Sequence, residues 1–123
     1  MECNPIKINL RYPEKNKNSK DFIVTVNHFT SKEMSKYDAS NKNIYSSKIR
    51  YETAYNALRK ADHNDAIQYA KEILSGKHGF MCQYKKIKFE TIWSSIFNIT
   101  NNKIYLAEGN PAATKYNEDN RLK

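Results

Sequence analysis

In a chain whose residues are 28% charged, the run Phe22-Ile-Val-Thr-Val-Asn-His-Phe29 opens with five uncharged residues that favour extended backbone. Phe22–Val26 therefore reads as a buried strand, and it ends abruptly in Asn27 and His28. Asn is unfavourable within a strand, and a buried carboxamide must find partners or forfeit a hydrogen bond. Two readings stay open at this point. Asn27 begins the turn after the strand, as Asn commonly does, or it presents its amide to a ligand.

The rest of the chain can be ordered around that strand. Ile6-Lys-Ile-Asn-Leu10 alternates apolar and polar residues and predicts a half-buried strand. With Phe22–Val26 it would form a hairpin closed by the polar loop Tyr12–Lys20. Residues 30 to 43 predict a surface excursion with one helical turn. Ser46 or Ser47 can cap a helix running to Lys60, with Tyr51, Ala54, Tyr55, Leu58 and Ala61 recurring at helical spacing. A second helix is predicted with Asn64 as N-cap, Asp65 in its first turn and Gly76 as its stop. Its inner face would be Ala66, Ile67, Ala70, Ile73 and Leu74.

Phe80-Met-Cys-Gln-Tyr84 is ambiguous between strand and loop, and Cys82 within it reads as a small buried hydrophobe. Thr91–Phe97 and Lys103–Ala107 flank the Asn-rich segment Asn98–Asn102, which is a hairpin signal. Trp93 and Phe97 share one face of the first of these strands and are expected in the core. The stretch 113–123 is polar and is expected to form a flexible tail. The order β-β-α-α-β-β predicts an α+β fold, an antiparallel sheet with two helices on one face. Its other sheet face would be left uncovered.

Composition narrows the function classes. The excess of 21 Lys and Arg over 13 Asp and Glu gives a net charge of +8. The lysines are scattered, so a solvated surface explains them better than a basic arm. Two cysteines, Cys3 and Cys82, form neither a disulfide framework nor a zinc site, and the three histidines lack ligand spacing. No metal or other cofactor is expected. No apolar run reaches the roughly 20 residues of a membrane span, and no signal sequence opens the chain, so a cytoplasmic location is expected.

Four segments, Val24–Phe29, Ser46-Ser-Lys-Ile-Arg50-Tyr, Thr91-Ile-Trp-Ser94 and Tyr105-Leu-Ala-Glu-Gly-Asn-Pro111, occur in a telling order. Together they resemble the C-terminal part of cysteine N-terminal-nucleophile hydrolases, in the branch of choloylglycine hydrolases and penicillin acyltransferase-like proteins. The resemblance covers Cys3 to Pro111. It implies half of a four-layer αββα sandwich, and an enzyme that cleaves or transfers acyl groups at linear amide bonds. The nucleophile of such enzymes is a cysteine at the mature N-terminus, with its own α-amino group as base. By resemblance Asn27 maps to the oxyanion-hole Asn, and Arg50 to an Arg that supports the nucleophile electrostatically. His28 is a turn or wall residue in that frame.

The family's Cys-led first strand and the Arg/Asn-x-Asp-type pair after it have no counterpart. Cys3 is the candidate nucleophile by position alone. It would need Met1 and Glu2 removed, and Asn4-Pro5 follows where a strand is wanted. The chain is thus expected to be a C-terminal fragment or subunit, inactive alone. Its partners would be the N-terminal half of the same enzyme and a small amide or acyl-thioester substrate.

A second reading, from another class, is a stand-alone basic α+β module for nucleic acid or another polyanion. No aromatic RNA-binding signature or basic helix supports it. Filter binding of a single-stranded oligonucleotide should detect no retention at low salt. Retention that weakens steeply as salt rises would favour the polyanion module instead.

Overall fold

The computed structural model describes residues 1–38, 46–62, 64–82 and 90–121. The fold is α+β, and the chain divides into two compact units, Met1–Asp62 and His63–Lys123.

The first unit holds four short strands, β1 (Glu2–Cys3), β2 (Ile8–Asn9), β3 (Glu14–Lys15) and β4 (Asp21–Phe22), then helix α1 (Ser47–Lys60). The hairpin expected between Ile6–Leu10 and Phe22–Val26 does not form. Instead β1 pairs with β2, and β3 with β4, both antiparallel. Each pair closes across a short Asn-led turn, which costs less chain entropy than the long loop would. Asn4 Oδ1 accepts the N–H groups of Ile6 and Lys7 at 2.9 and 2.7 Å. Asn16 Oδ1 accepts those of Asn18 and Lys20 at 2.8 and 3.0 Å. Ile6, Ile8 and Leu10 are exposed, so their alternation does not mark a buried face. The apolar core of this unit is Val24, Met34 and Ala57.

Helix α1 spans the range its apolar spacing predicts, but neither serine caps it as expected. Ser46 stands at the N-cap in the left-handed region (φ 54°) and makes no capping bond. At the other end Lys17 N–H reaches Arg59 O at 3.2 Å, and Asn18 Nδ2 reaches Ala61 O at 3.2 Å. These donors meet carbonyls that a helix end leaves without intrahelical partners. Tyr55 stacks on Tyr51, meets the Phe22 ring edge-on at 5.7 Å and donates to Glu14 Oε2 at 2.7 Å. Within the predicted stripe Tyr55 thus meets the β3–β4 hairpin, and the stripe as a whole is only half-buried.

The excursion expected over 30–43 is described as far as residue 38, where a 3-10 turn occupies Ser35–Tyr37. Its remainder lies outside the described residues, as do Gln83 and Tyr84.

The second unit is built on helix α2 (Ala66–Leu74) and strands β5 (Trp93–Asn98), β6 (Lys103–Glu108) and β7 (Asn117–Glu118). Asp65, one residue after the expected cap, accepts Gln68 N–H at 2.9 Å and starts α2. Gly76, at φ 84°, ends it as predicted. The β5–β6 hairpin forms across Ile99–Asn102, with Trp93 opposite Glu108 and Asn98 opposite Lys103. Within the stretch expected to be a tail, Asn117–Glu118 pair with β6 as a third strand.

Helix α2 lies against β5, and Tyr69, Ile73, Cys82, Ile96 and Ala107 are buried in this unit. Cys82 is thus the buried hydrophobe expected, and its burial pushes the thiol pKa up. Trp93 and Phe97 correct the expectation that they are core. They alternate with Ile96 along β5, so when Ile96 is turned inward they point outward, 58% and 65% exposed.

The connection after β6 is closely specified. Gly109 has φ 112°, and a Cβ there would come within 2.9 Å of Thr114 Oγ1. Asn110 Nδ2 donates to Cys82 O at 3.0 Å, while its Oδ1 accepts Ala112 N–H at 3.0 Å. Gly109→Ala is expected to destabilise the protein by about 1–3 kcal/mol, through left-handed strain and the displaced Thr114. A urea titration followed by far-UV circular dichroism would measure this.

Candidate active site

A cleft of about 410 Å³ opens in the first unit, with Cys3, Arg11, Thr25, Asn27, His28 and Asp38 among its lining residues. Its wall is the extended segment after β4, so the uncharged run that predicts a strand supplies the wall. Regular pairing stops at Phe22, however, and residues 23–26 continue without ladder partners. Val24 turns inward, and its carbonyl accepts Arg11 Nη1 at 2.9 Å. A guanidinium thus takes the place of a neighbouring strand along this edge.

Arg11 is held in turn beside Glu2, 3.7 Å from its carboxylate, with both side chains largely buried. Burial would raise the Glu2 pKa, but hydrogen bonds from Ser31 and Thr30 outweigh it and hold the carboxyl at about 2. Thr30 N–H and Thr30 Oγ1 both donate to Glu2 Oε1 at 2.7 Å, and Ser31 N–H donates to Oε2 at 3.2 Å. The N-terminal strand is therefore fastened to the segment just beyond His28.

Asn27, which lines the cleft, meets Arg50. Arg50 Nη2 donates to Asn27 Oδ1 at 2.7 Å. A guanidinium has donors only, so the amide must turn its oxygen toward Arg50. The amide's own donor, Nδ2, is left as the end that can meet an oxygen of a ligand. Arg50 sits in the first turn of α1, where sequence alone allows a merely solvated or ion-paired surface residue. The geometry gives it a defined partner in Asn27.

Backbone contacts fix Asn27 as well. Its N–H donates to Ser47 Oγ at 3.0 Å, and His28 Nδ1 lies 2.8 Å from the same oxygen. Ser47 is 2% exposed. The His28 ring is also edge-on to Tyr51, with centroids 6.0 Å apart. His28 is a wall residue of the cleft, as read from sequence. Phe29 N–H closes this stretch on Asp38 Oδ1 at 3.3 Å.

Three candidate residues thus come to one unit, with Asn27 bonded to Arg50 and Cys3 lining the same cleft as Asn27. Cys3 is exposed and lies opposite Ile8 in the β1–β2 pair. Sequence reasoning missed Ser47, which it took as a helix cap, and the buried Glu2–Arg11 pair. Only the serine carried a signal, as the first polar residue before a periodic run.

The sequence also matches a known family. Residues 2–113 match the family described as acyl-coenzyme A:6-aminopenicillanic acid acyl-transferase. The chain belongs to that family. No curated protein and no solved structure matches the chain. Among the described residues no helix is long and apolar enough to cross a membrane.

The Glu2 cluster gives a pH prediction. Because its folded pKa is depressed, its stabilisation is present above the ordinary carboxylate value of 4.5 and is lost as pH falls toward about 2. Glu2→Gln should cost about 1.5–3 kcal/mol near neutrality. The gap between wild-type and variant urea midpoints should close as pH is lowered across that window.

Proposed function

We propose that this chain is the C-terminal portion of a cysteine N-terminal-nucleophile acyltransferase or amidohydrolase acting on linear amide bonds. It would form part of an αββα sandwich completed by other segments of the enzyme. Asn27 is the oxyanion donor, through Nδ2. Arg50 holds that amide in its donating orientation and adds positive charge beside the thiolate. The observation that carries the reading is the 2.7 Å bond between Arg50 Nη2 and Asn27 Oδ1, in a chain of this family.

The nucleophile belongs to a segment other than Cys3. Exposing Cys3 as a mature N-terminus would cut away Glu2, whose carboxylate accepts from Thr30 and Ser31 and accompanies Arg11. Such processing would remove the fastening of the cleft wall. Catalysis then runs in two half-reactions. The thiolate attacks the amide carbonyl, Asn27 meets the developing oxyanion, and the amine leaves with a proton from the nucleophile's α-amino group. Water or an acceptor amine resolves the thioester.

The chain alone should show no amidase or acyltransferase activity, and should gain it with an N-terminal complement carrying the nucleophilic cysteine. Asn27→Ala should lower kcat of that complex by about 10²–10³. Activity of the chain alone that survives Cys3→Ser would overturn the fragment reading. Activity of the chain alone that is lost in Cys3→Ser would make Cys3 the nucleophile.

A further inference from the structure

We propose that Ser47 is a positioning residue for the Asn27 donor, so that helix α1 grips Asn27 at two points. The inference rests on the assignment of Asn27 as oxyanion donor but concerns a different group. Arg50 holds the Asn27 side chain through Oδ1. Ser47 holds its backbone, accepting the Asn27 N–H at 3.0 Å, from a site that is 2% exposed.

The hydroxyl has one hydrogen and two lone pairs. One lone pair takes the Asn27 N–H, and in the proposed arrangement the hydrogen is directed to His28 Nδ1, 2.8 Å away. That arrangement makes His28 the Nε2–H tautomer, which is what the test below reads. The two residues at the end of the wall are thus tied to the first residue of the helix whose first turn carries Arg50. An oxyanion donor misplaced by a fraction of an ångström loses much of its effect. A buried hydroxyl that fixes both neighbouring residues suppresses that error.

The test uses the whole chain, labelled with 15N. In mildly alkaline buffer the ring nitrogens of His28 should report the Nε2–H tautomer. In Ser47→Ala, amide hydrogen exchange at Asn27 should accelerate about tenfold or more, the equivalent of one lost hydrogen bond. Exchange at Ala57, on the same helix, should change far less. The single tautomer should be lost, and Ser47→Thr, which keeps the hydroxyl, should restore both signatures.

If Ser47→Ala does not fold, Ser47→Cys, close in size and a weaker acceptor, is judged by the same two readouts. Exchange at Asn27 that moves less than about twofold in a folded variant would overturn the proposal. So would a wild-type His28 protonated at Nδ1. Failure of the oxyanion assignment is separable, because it would show as full activity of the Asn27→Ala complex with the Ser47 signatures unchanged.

Discussion

The candidate site depends on the direction of one hydrogen bond, from Arg50 to Asn27. A primary amide is nearly symmetric in shape but opposite in polarity at its two ends. Next to a guanidinium only one orientation is favourable, with the oxygen inward and the NH₂ outward. A charged donor therefore does more here than add positive potential. It decides which end of the Asn27 amide turns toward Arg50 and which turns away, and a neutral residue of the same size would leave the amide free to turn over.

What could be read from the sequence follows from the range over which each interaction acts. Helix α1, the stop at Gly76 and the β5–β6 hairpin rest on spacing and local backbone preference, so they were legible. Strand pairing in the first unit was not. Ile6–Leu10 and Phe22–Val26 have the right pattern to pair, yet Asn4 and Asn16 close shorter turns and each strand takes its nearest neighbour. Trp93 and Phe97 show another limit. Alternation says that they share a face, but which face is covered depends on where α2 lies.

The site was legible in a similarly uneven way. Asn27 and Arg50 were nominated by resemblance, and their contact spans 23 positions of chain. Ser47 was noticed for the wrong reason: the same hydroxyl that caps a helix elsewhere bonds backward here, to the end of the cleft wall. Glu2 and Arg11 carry ordinary surface residue types, and only their burial together reveals their work. No periodicity announces a lone carboxylate that gathers donors from a distant turn.

Ser47 and Arg50 are three residues apart on α1, nearly one turn of helix. The helix pitch thus acts as a ruler, setting the spacing between the two points at which Asn27 is held. Inserting a single residue between them would swing Arg50 by roughly 100° around the helix axis, even if the helix itself remained intact. Variation in this turn is therefore tolerable in residue type at positions 48 and 49, which face solvent, but not in length. Register, as much as chemistry, is what this part of the chain has to preserve.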